Sequence, residues 1–315
     1  MRILMFGRGV IATQYGWALE QAGHDVDFYV RPGRTATYGP FVDLDILDGR
    51  ARGRKRRTSH RWPLTMREDL DSNHDYELII LSVNHDQLPT AVEFLSSRLG
   101  DAALLIFNNI WADPRDIAAR LPAGQVVWGF PSGGGGFAGN TLRGGMLRSL
   151  TLGLLDGGPP TAAHTRVHEL LTGAGFSVTT VEDFRSWLWF HFILDAGLMV
   201  GIRQAGGVEA FVRSPASAKL TLRLIREMLP VLEAKGGVPT LGAKAIRLLP
   251  TGPVAFGLRK LLGGGSIYGA VTRDAQVGAQ GSAEMMNIYP RDVLAEARRL
   301  QVPTPQLAAL EPVFR

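Results

Sequence analysis

Two sets of residues in this sequence have the types and spacing that chemistry uses. The first is Gly7-x-Gly9-x-x-Ala12. A glycine at position 7 permits a tight turn, and one at position 9 lets backbone approach a pyrophosphate. Ala12 takes the third, close-packing position, and Val10 and Ile11 open a helix whose N-terminus faces the anion. The second set is His191-x-x-x-Asp195. Four residues apart on a helix, these two side chains share one face. Reducing a carbonyl by hydride transfer needs an acid to protonate the oxygen as charge develops on it. A histidine titrates near ~6.5 and suits that work better than a lysine near ~10. A carboxylate one turn away fixes the imidazole tautomer and holds the ring. The same spacing also suits a paired but non-catalytic histidine, or a site that has lost its activity. Trp187, Leu188, Trp189, Phe190, Phe192, Ile193 and Leu194 make the helix apolar, and leaving the pair unpartnered there would cost about 1–3 kcal/mol.

These residues need elements to hold them. Residues 2–6 are a short apolar run that leads straight into the glycine motif. From Val10 to Ala22 the pattern is helical, with Gly23 as the stop. Val26 to Val30 is a second strand, ended by Arg31-Pro32-Gly33-Arg34. Folds that bind NAD place an acid at this strand's tip to hold the ribose hydroxyls. Here the tip carries Arg31, and a guanidinium grips a 2′-phosphate where a carboxylate would repel it. Asp27 lies inside the strand, away from the tip. NADP is therefore the expected cofactor.

Further strands are expected at Leu78–Val83, Ala103–Phe107, Gln125–Gly129 and Leu150–Leu154, with helices at Leu88–Leu99 and Pro114–Leu121 between them. Gly133–Gly136 reads as a flexible loop on the ligand side of the strand ends. Strands alternating with helices predict an α/β chain with a Rossmann-like doubly wound sheet. After about residue 183 the period becomes helical, over Ser186–Ile202, Ser214–Lys235 and Ala283–Leu300. The expected division is residues 1–183, an NADP-binding domain, and 184–315, an all-α substrate and catalytic domain.

Composition narrows the classes further. The chain has 315 residues, 45% hydrophobic and 20% charged, which excludes a disordered or fibrous protein. The absence of cysteine excludes a disulfide framework, a thiolate metal site, a cysteine nucleophile and an iron–sulfur cluster. The stretch Trp187–Ile202 contains His191 and Asp195 and falls short of a membrane span, and Met1–Phe6 is broken too soon for a leader. A soluble, cytoplasmic protein is expected. The net charge of +5 is matched by one basic tract, residues 50–57, between strand-like Val42–Leu47 and Ser59–Leu64. It reads as a solvated hairpin tip rather than a nucleic-acid site, because no aromatic platform interleaves with it. His164-x-x-x-His168 has metal spacing without a third ligand, so an ordinary surface helix and no metal are expected. Arg203 could bind a substrate carboxylate or lie in solvent.

With these residues in view, the sequence resembles the ketopantoate reductase (2-dehydropantoate 2-reductase) family over essentially its whole length. The resemblance rests on Gly7-x-Gly9-x-x-Ala12, Arg31, Asn108, Leu188-Trp189, Glu227, Thr272-Arg273-Asp274 and Glu284 before Pro303. It implies an NADPH-dependent enzyme with a Rossmann domain and a helical domain, Asn108 near the nicotinamide and Glu284 at the substrate. The departures are informative. The family's catalytic lysine is His191 here, the asparagine four residues on is Asp195, and the next is Met199. A cofactor-holding lysine is Asn84, and an asparagine-glycine pair is Asn108-Asn109. The expectation is an NADP-dependent oxidoreductase reducing a small 2-keto acid or related carbonyl. His191, Asp195 and Glu284 would be catalytic, and Gly7, Gly9, Val10, Ile11, Ala12, Arg31, Asn84 and Asn108 would hold the cofactor. An opine- or imine-type reductase and a non-catalytic NADP sensor are the alternatives, and a homodimer is compatible with either enzyme.

Overall fold

Arg2–Phe6 (β1) is buried at every position after the first and forms the middle of a sheet. After it come Val10–Glu20 (α1), Asp25–Tyr29 (β2), Arg34–Tyr38 (α2), Phe41–Asp48 (β3), Arg57–Pro63 (β4), Thr65–Arg67 (β5) and Leu78–Leu81 (β6). Then follow Leu88–Ser96 (α3), Ala103–Phe107 (β7), Pro114–Ala118 (α4), Val126–Phe130 (β8), Gly133–Ala138 (β9), Thr141–Met146 (β10), Ser149–Gly153 (β11), Ala162–Gly173 (α5) and Ser177–Val181 (β12). The remainder is helical: Phe184–Ala205 (α6), Val208–Arg213 (α7), Pro215–Ala234 (α8), Leu241–Leu248 (α9), Thr251–Leu262 (α10), Ile267–Asp274 (α11), Gln280–Arg299 (α12) and Pro305–Ala309 (α13). This computed structural model describes residues 1–51, 56–155, 157–263, 266–274 and 280–315, with the side chains of 280–286 outside the description. It divides into two compact units. One is Met1–Asn108 with Ala112–Phe184, and the other is Asn109–Trp111 with Arg185–Arg315.

In the first unit an eight-stranded sheet runs β12-β11-β8-β7-β6-β1-β2-β5. β2, β1, β6, β7 and β8 pair in parallel, and β6 and β7 are buried at every residue. Strands covered on both faces need such unbroken apolar runs, so these were the readable ones. A smaller sheet, β4-β3-β10-β9, joins it. β3 alternates half-buried and buried residues along its length, with one face on the core.

Gly133–Gly136 is not the loop the sequence suggests. It is most of β9, paired antiparallel with β10 in a register that sets Gly135 opposite Gly144. Both glycines have positive φ, and a Cβ on either would collide with the backbone of the other strand. Glycine is used here so that two strands can approach closely, and an apolar-pattern reading has nothing to detect.

Two surface expectations also change. β3 and β4 do form the expected hairpin, and residues 52–55 of its basic tip lie outside the description. Arg50 is not solvated, however. It pairs with Asp48 at 3.0 Å, donates to the carbonyls of Ala18 (3.1 Å) and Ala174 (2.8 Å), and lies over the Trp17 and Phe176 rings. Arg57 is matched to Asp45. His164 is buried in α5 rather than exposed, because the apolar stripe of Ala163, Val167 and Leu171 turns it inward, and burial pushes its imidazole pKa down. Among the described residues no group of three metal-type side chains occurs, and no helix is long and apolar enough to cross a membrane.

The second unit packs around α6 and α8, with Phe192, Ile193, Leu224 and Met228 in its core. Lys235, at the end of α8, lies over the Trp111 and Trp189 rings and pairs with Glu296 at 3.1 Å.

Candidate functional site

In the first unit the candidate residues collect at the carboxyl ends of three parallel neighbours, β1, β6 and β7. Gly7 turns the chain with φ of 101° and donates its N–H to Tyr29 at 2.9 Å. Gly9 caps α1 in an extended conformation, and no side chain caps the helix, nor does an acid stand in its first turn. A Cβ on Gly9 would stand 3.7 Å from the Ser82 carbonyl, an ordinary contact. The protein itself therefore does not require glycine there, whereas a pyrophosphate lying on the first-turn amides does. The residues present fit a dinucleotide. Ala12 is fully buried, and Val10 and Ile11 are half-buried at the start of the helix.

Asn108 directly follows β7 and donates from Nδ2 to the Val83 carbonyl at 2.8 Å. Asn84 follows β6, is exposed, and caps nothing with its side chain. Arg31 is exposed just beyond β2. Asp27 is occupied within the strand, accepting from Tyr76 at 2.6 Å and pairing with Arg67 and Arg2.

One acid near the β2 tip escaped the sequence reading. Glu68, just after β5, accepts from the N–H of Gly33 at 2.9 Å and of Thr35 at 2.7 Å. These contacts, the Gly33 amide above all, hold its carboxyl below the usual range. A carboxylate thus reaches the turn after Arg31 from the neighbouring edge strand. The signal was absent from sequence because the acid lies far along the chain from that turn.

The second unit holds the other cluster. His191 and Asp195 project from one face of α6, with Nε2 3.8 Å from Asp195 Oδ2. Trp187, one turn earlier, stacks on the imidazole with ring centres 5.2 Å apart and planes 20° from parallel. Asn109 donates from Nδ2 to Asp195 Oδ2 at 2.7 Å. Burial pushes the Asp195 carboxyl pKa up, while His191 and the Asn109 hydrogen bond work against that. Tyr268 and Tyr289 also face this charge. Burial first, then Asp195, moves the Tyr268 phenol to about 12 and the Tyr289 phenol further up. Both hydroxyls therefore stay protonated and can donate. Asn109 and the two tyrosines come from segments far from α6, so no local spacing announced them.

Other expected residues have structural partners or no described side chain. Glu284 falls in α12, and its side chain lies outside the described residues. Arg203 donates from Nη1 to the Val313 carbonyl at 3.0 Å, which ties the end of α6 to the C-terminal segment. Glu227 accepts from the N–H groups of Gln306 and Leu307, capping α13.

Residues 3–140 match the family described as Ketopantoate reductase PanE/ApbA. No curated protein sequence matches the chain. Among solved structures, the chain is similar to a PanE/ApbA family ketopantoate reductase from Ralstonia eutropha JMP134, at 19% identity and a TM-score of 0.69, covering 100% of this chain and 97% of that one. It is also similar to a D-mandelate dehydrogenase bound to NADH and anilino(oxo)acetate, at 13% identity and a TM-score of 0.68, covering 100% and 97%. A dimeric ketopantoate reductase from Staphylococcus aureus matches at 13% identity and a TM-score of 0.63, covering 99% and 98%. At these identities the structural likeness establishes the fold.

Proposed function

We propose, from the match of residues 3–140 to the family described as Ketopantoate reductase PanE/ApbA, that the protein is an NADPH-dependent reductase of a small 2-keto acid or related carbonyl. Ketopantoate reductases are oxidoreductases acting on a CH–OH/C=O pair. The observation that carries the reading is Gly9, a glycine at the start of α1 for which the fold itself supplies no need.

The bound nicotinamide supplies the hydride. The first-turn amides of α1 hold the pyrophosphate, with Gly7, Gly9, Val10, Ile11 and Ala12 shaping the turn. Arg31 grips the 2′-phosphate, and Asn84 and Asn108 contribute from the ends of β6 and β7. In the helical unit His191 gives a proton to the substrate oxygen. Asp195 stabilises the ring while it is protonated, Trp187 fixes its plane, and Asn109 fixes Asp195. Glu284 contacts the substrate. The resemblance to keto-acid reductases supports this division of labour, and His191 in place of the family's lysine favours a substrate other than ketopantoate. Leu241, Leu248, Phe256 and Leu261 expose apolar surface on α9 and α10, in keeping with a homodimer, which sedimentation of the wild type against Leu248→Asp would check. A chain without cysteine suits the cytoplasm.

The test is loss of NADPH absorbance with a panel of 2-keto acids. Turnover of at least one of them is expected. Tight NADPH binding without turnover across the panel would instead make the protein a sensor.

A further inference from the structure

Arg8 stands between the two glycines of the β1–α1 turn, and its side chain is only 9% exposed. Its guanidinium lies 4.9 Å from the ring centres of both Tyr38 and Phe137. One Nη2 hydrogen bond goes to Asn140 Oδ1, while Nε is buried without a partner. Among the described residues no carboxylate stands within ion-pair distance of it. Four arginines of this unit, Arg50, Arg57, Arg61 and Arg67, each hold an aspartate.

A desolvated cation normally needs a counter-charge, because its solvation loss runs to several kcal/mol. Two aromatic faces return only part of that. Burial accordingly pushes the guanidinium pKa down. The missing anion has an address. Arg8 belongs to the same turn as Gly9 and the uncapped start of α1, and it packs on Tyr38, the last residue of α2, which begins three residues after Arg31.

We propose that Arg8 is a phosphate ligand of the bound dinucleotide, its buried charge being completed by a phosphate group of the cofactor. The inference rests on the dinucleotide reading above. It assigns a cofactor role to the residue between the two motif glycines, a position the fingerprint leaves unspecified. Two phosphates are within its neighbourhood, the pyrophosphate over α1 and the 2′-phosphate near the β2 tip.

The experiment titrates wild type, Arg8→Met and Arg8→Lys with NADPH, NADH, ADP and 2′-AMP, and melts each protein without ligand. Methionine keeps an apolar stem and removes the charge. Arg8→Met should weaken phosphate ligands about 10–100-fold and flatten the salt dependence of binding. Its melting temperature without ligand should be unchanged or higher, because an uncompensated buried charge is gone. Arg8→Lys should retain more affinity than Arg8→Met. Loss with NADPH, NADH and ADP but not 2′-AMP assigns the pyrophosphate, and loss with NADPH and 2′-AMP alone assigns the 2′-phosphate. Unchanged affinities, or a lowered melting temperature with affinity intact, would make Arg8 a structural pin and overturn the proposal. A wild type that binds none of the four would overturn it together with the dinucleotide reading.

Discussion

At His191 the imidazole is held between the Trp187 ring and the Asp195 carboxyl, so the two neighbours can be separated by substitution. His191→Ala should lower turnover by about 10²–10⁴-fold while NADPH affinity, followed by fluorescence, stays intact. Full activity in that variant would show the pair to be structural. Asp195→Asn should cost less activity, since it removes charge and keeps an acceptor for Asn109. Its effect on stability has a definite sign. Burial raises the Asp195 pKa, so the folded protein holds that proton to higher pH than the unfolded chain does. The stability it provides is therefore complete at low pH and is lost as pH rises from about 4 through the raised value. The melting temperature of Asp195→Asn relative to wild type should climb over that range, and a flat difference would contradict the assignment. A 2′-phosphate bound beside the β2 tip would be attracted by Arg31 and repelled by Glu68. Arg31→Ala should cost NADPH and spare NADH, whereas Glu68→Gln should favour NADPH over NADH several-fold, as removal of a like charge implies. Equal shifts for both cofactors in either variant would remove these residues from cofactor selection.

Among the elements, the β9–β10 pair makes the firmest prediction. Gly144→Ala forces both a positive φ and a collision with the Gly134 carbonyl, so it should destabilise the protein by about 2–4 kcal/mol in denaturant unfolding. Gly139→Ala, at a turn with positive φ but open space around it, should cost less. The same pair explains what the sequence could and could not disclose. β1, β6 and β7 were legible because full burial demands unbroken apolar runs. β5 and β12, half-buried or exposed at every residue, carry no such run, and the first four residues of β9, all glycine, have no side chains to pattern. The site divides in the same way. His191 and Asp195 were readable because a helix turns spacing into proximity. Asn109, Tyr268 and Tyr289 reach Asp195 through tertiary packing, and Glu68 reaches the Gly33 turn through strand pairing, which no local period records.

Across the whole molecule, the ionic network around Glu296 contributes to the acid sensitivity of the helical unit. Arg299 first, then Lys235, brings the Glu296 carboxyl down to about 2. A depressed carboxylate contributes stability that is fully present above its unfolded value and is lost as pH falls toward the folded one. Between about pH 4.5 and 2 the unit should lose about 1 kcal/mol from this residue after solvent screening of the Arg299 contact. Glu296→Gln should melt with a shallower acid dependence than wild type, and an identical slope would place the acid sensitivity elsewhere. The same network includes Trp111, whose ring lies under Lys235, and Trp111 arrives from the middle of the other unit's sequence together with Asn109. The helical part is therefore not a cassette that can be cut out, fused or exchanged by joining genes at residue 184. A fragment beginning there would carry Asp195 without its amide and Lys235 without one of its two rings. Recombination that keeps this part working must carry three residues from upstream, and a ribosome that has made the first 184 residues has already released part of a structure it has yet to build.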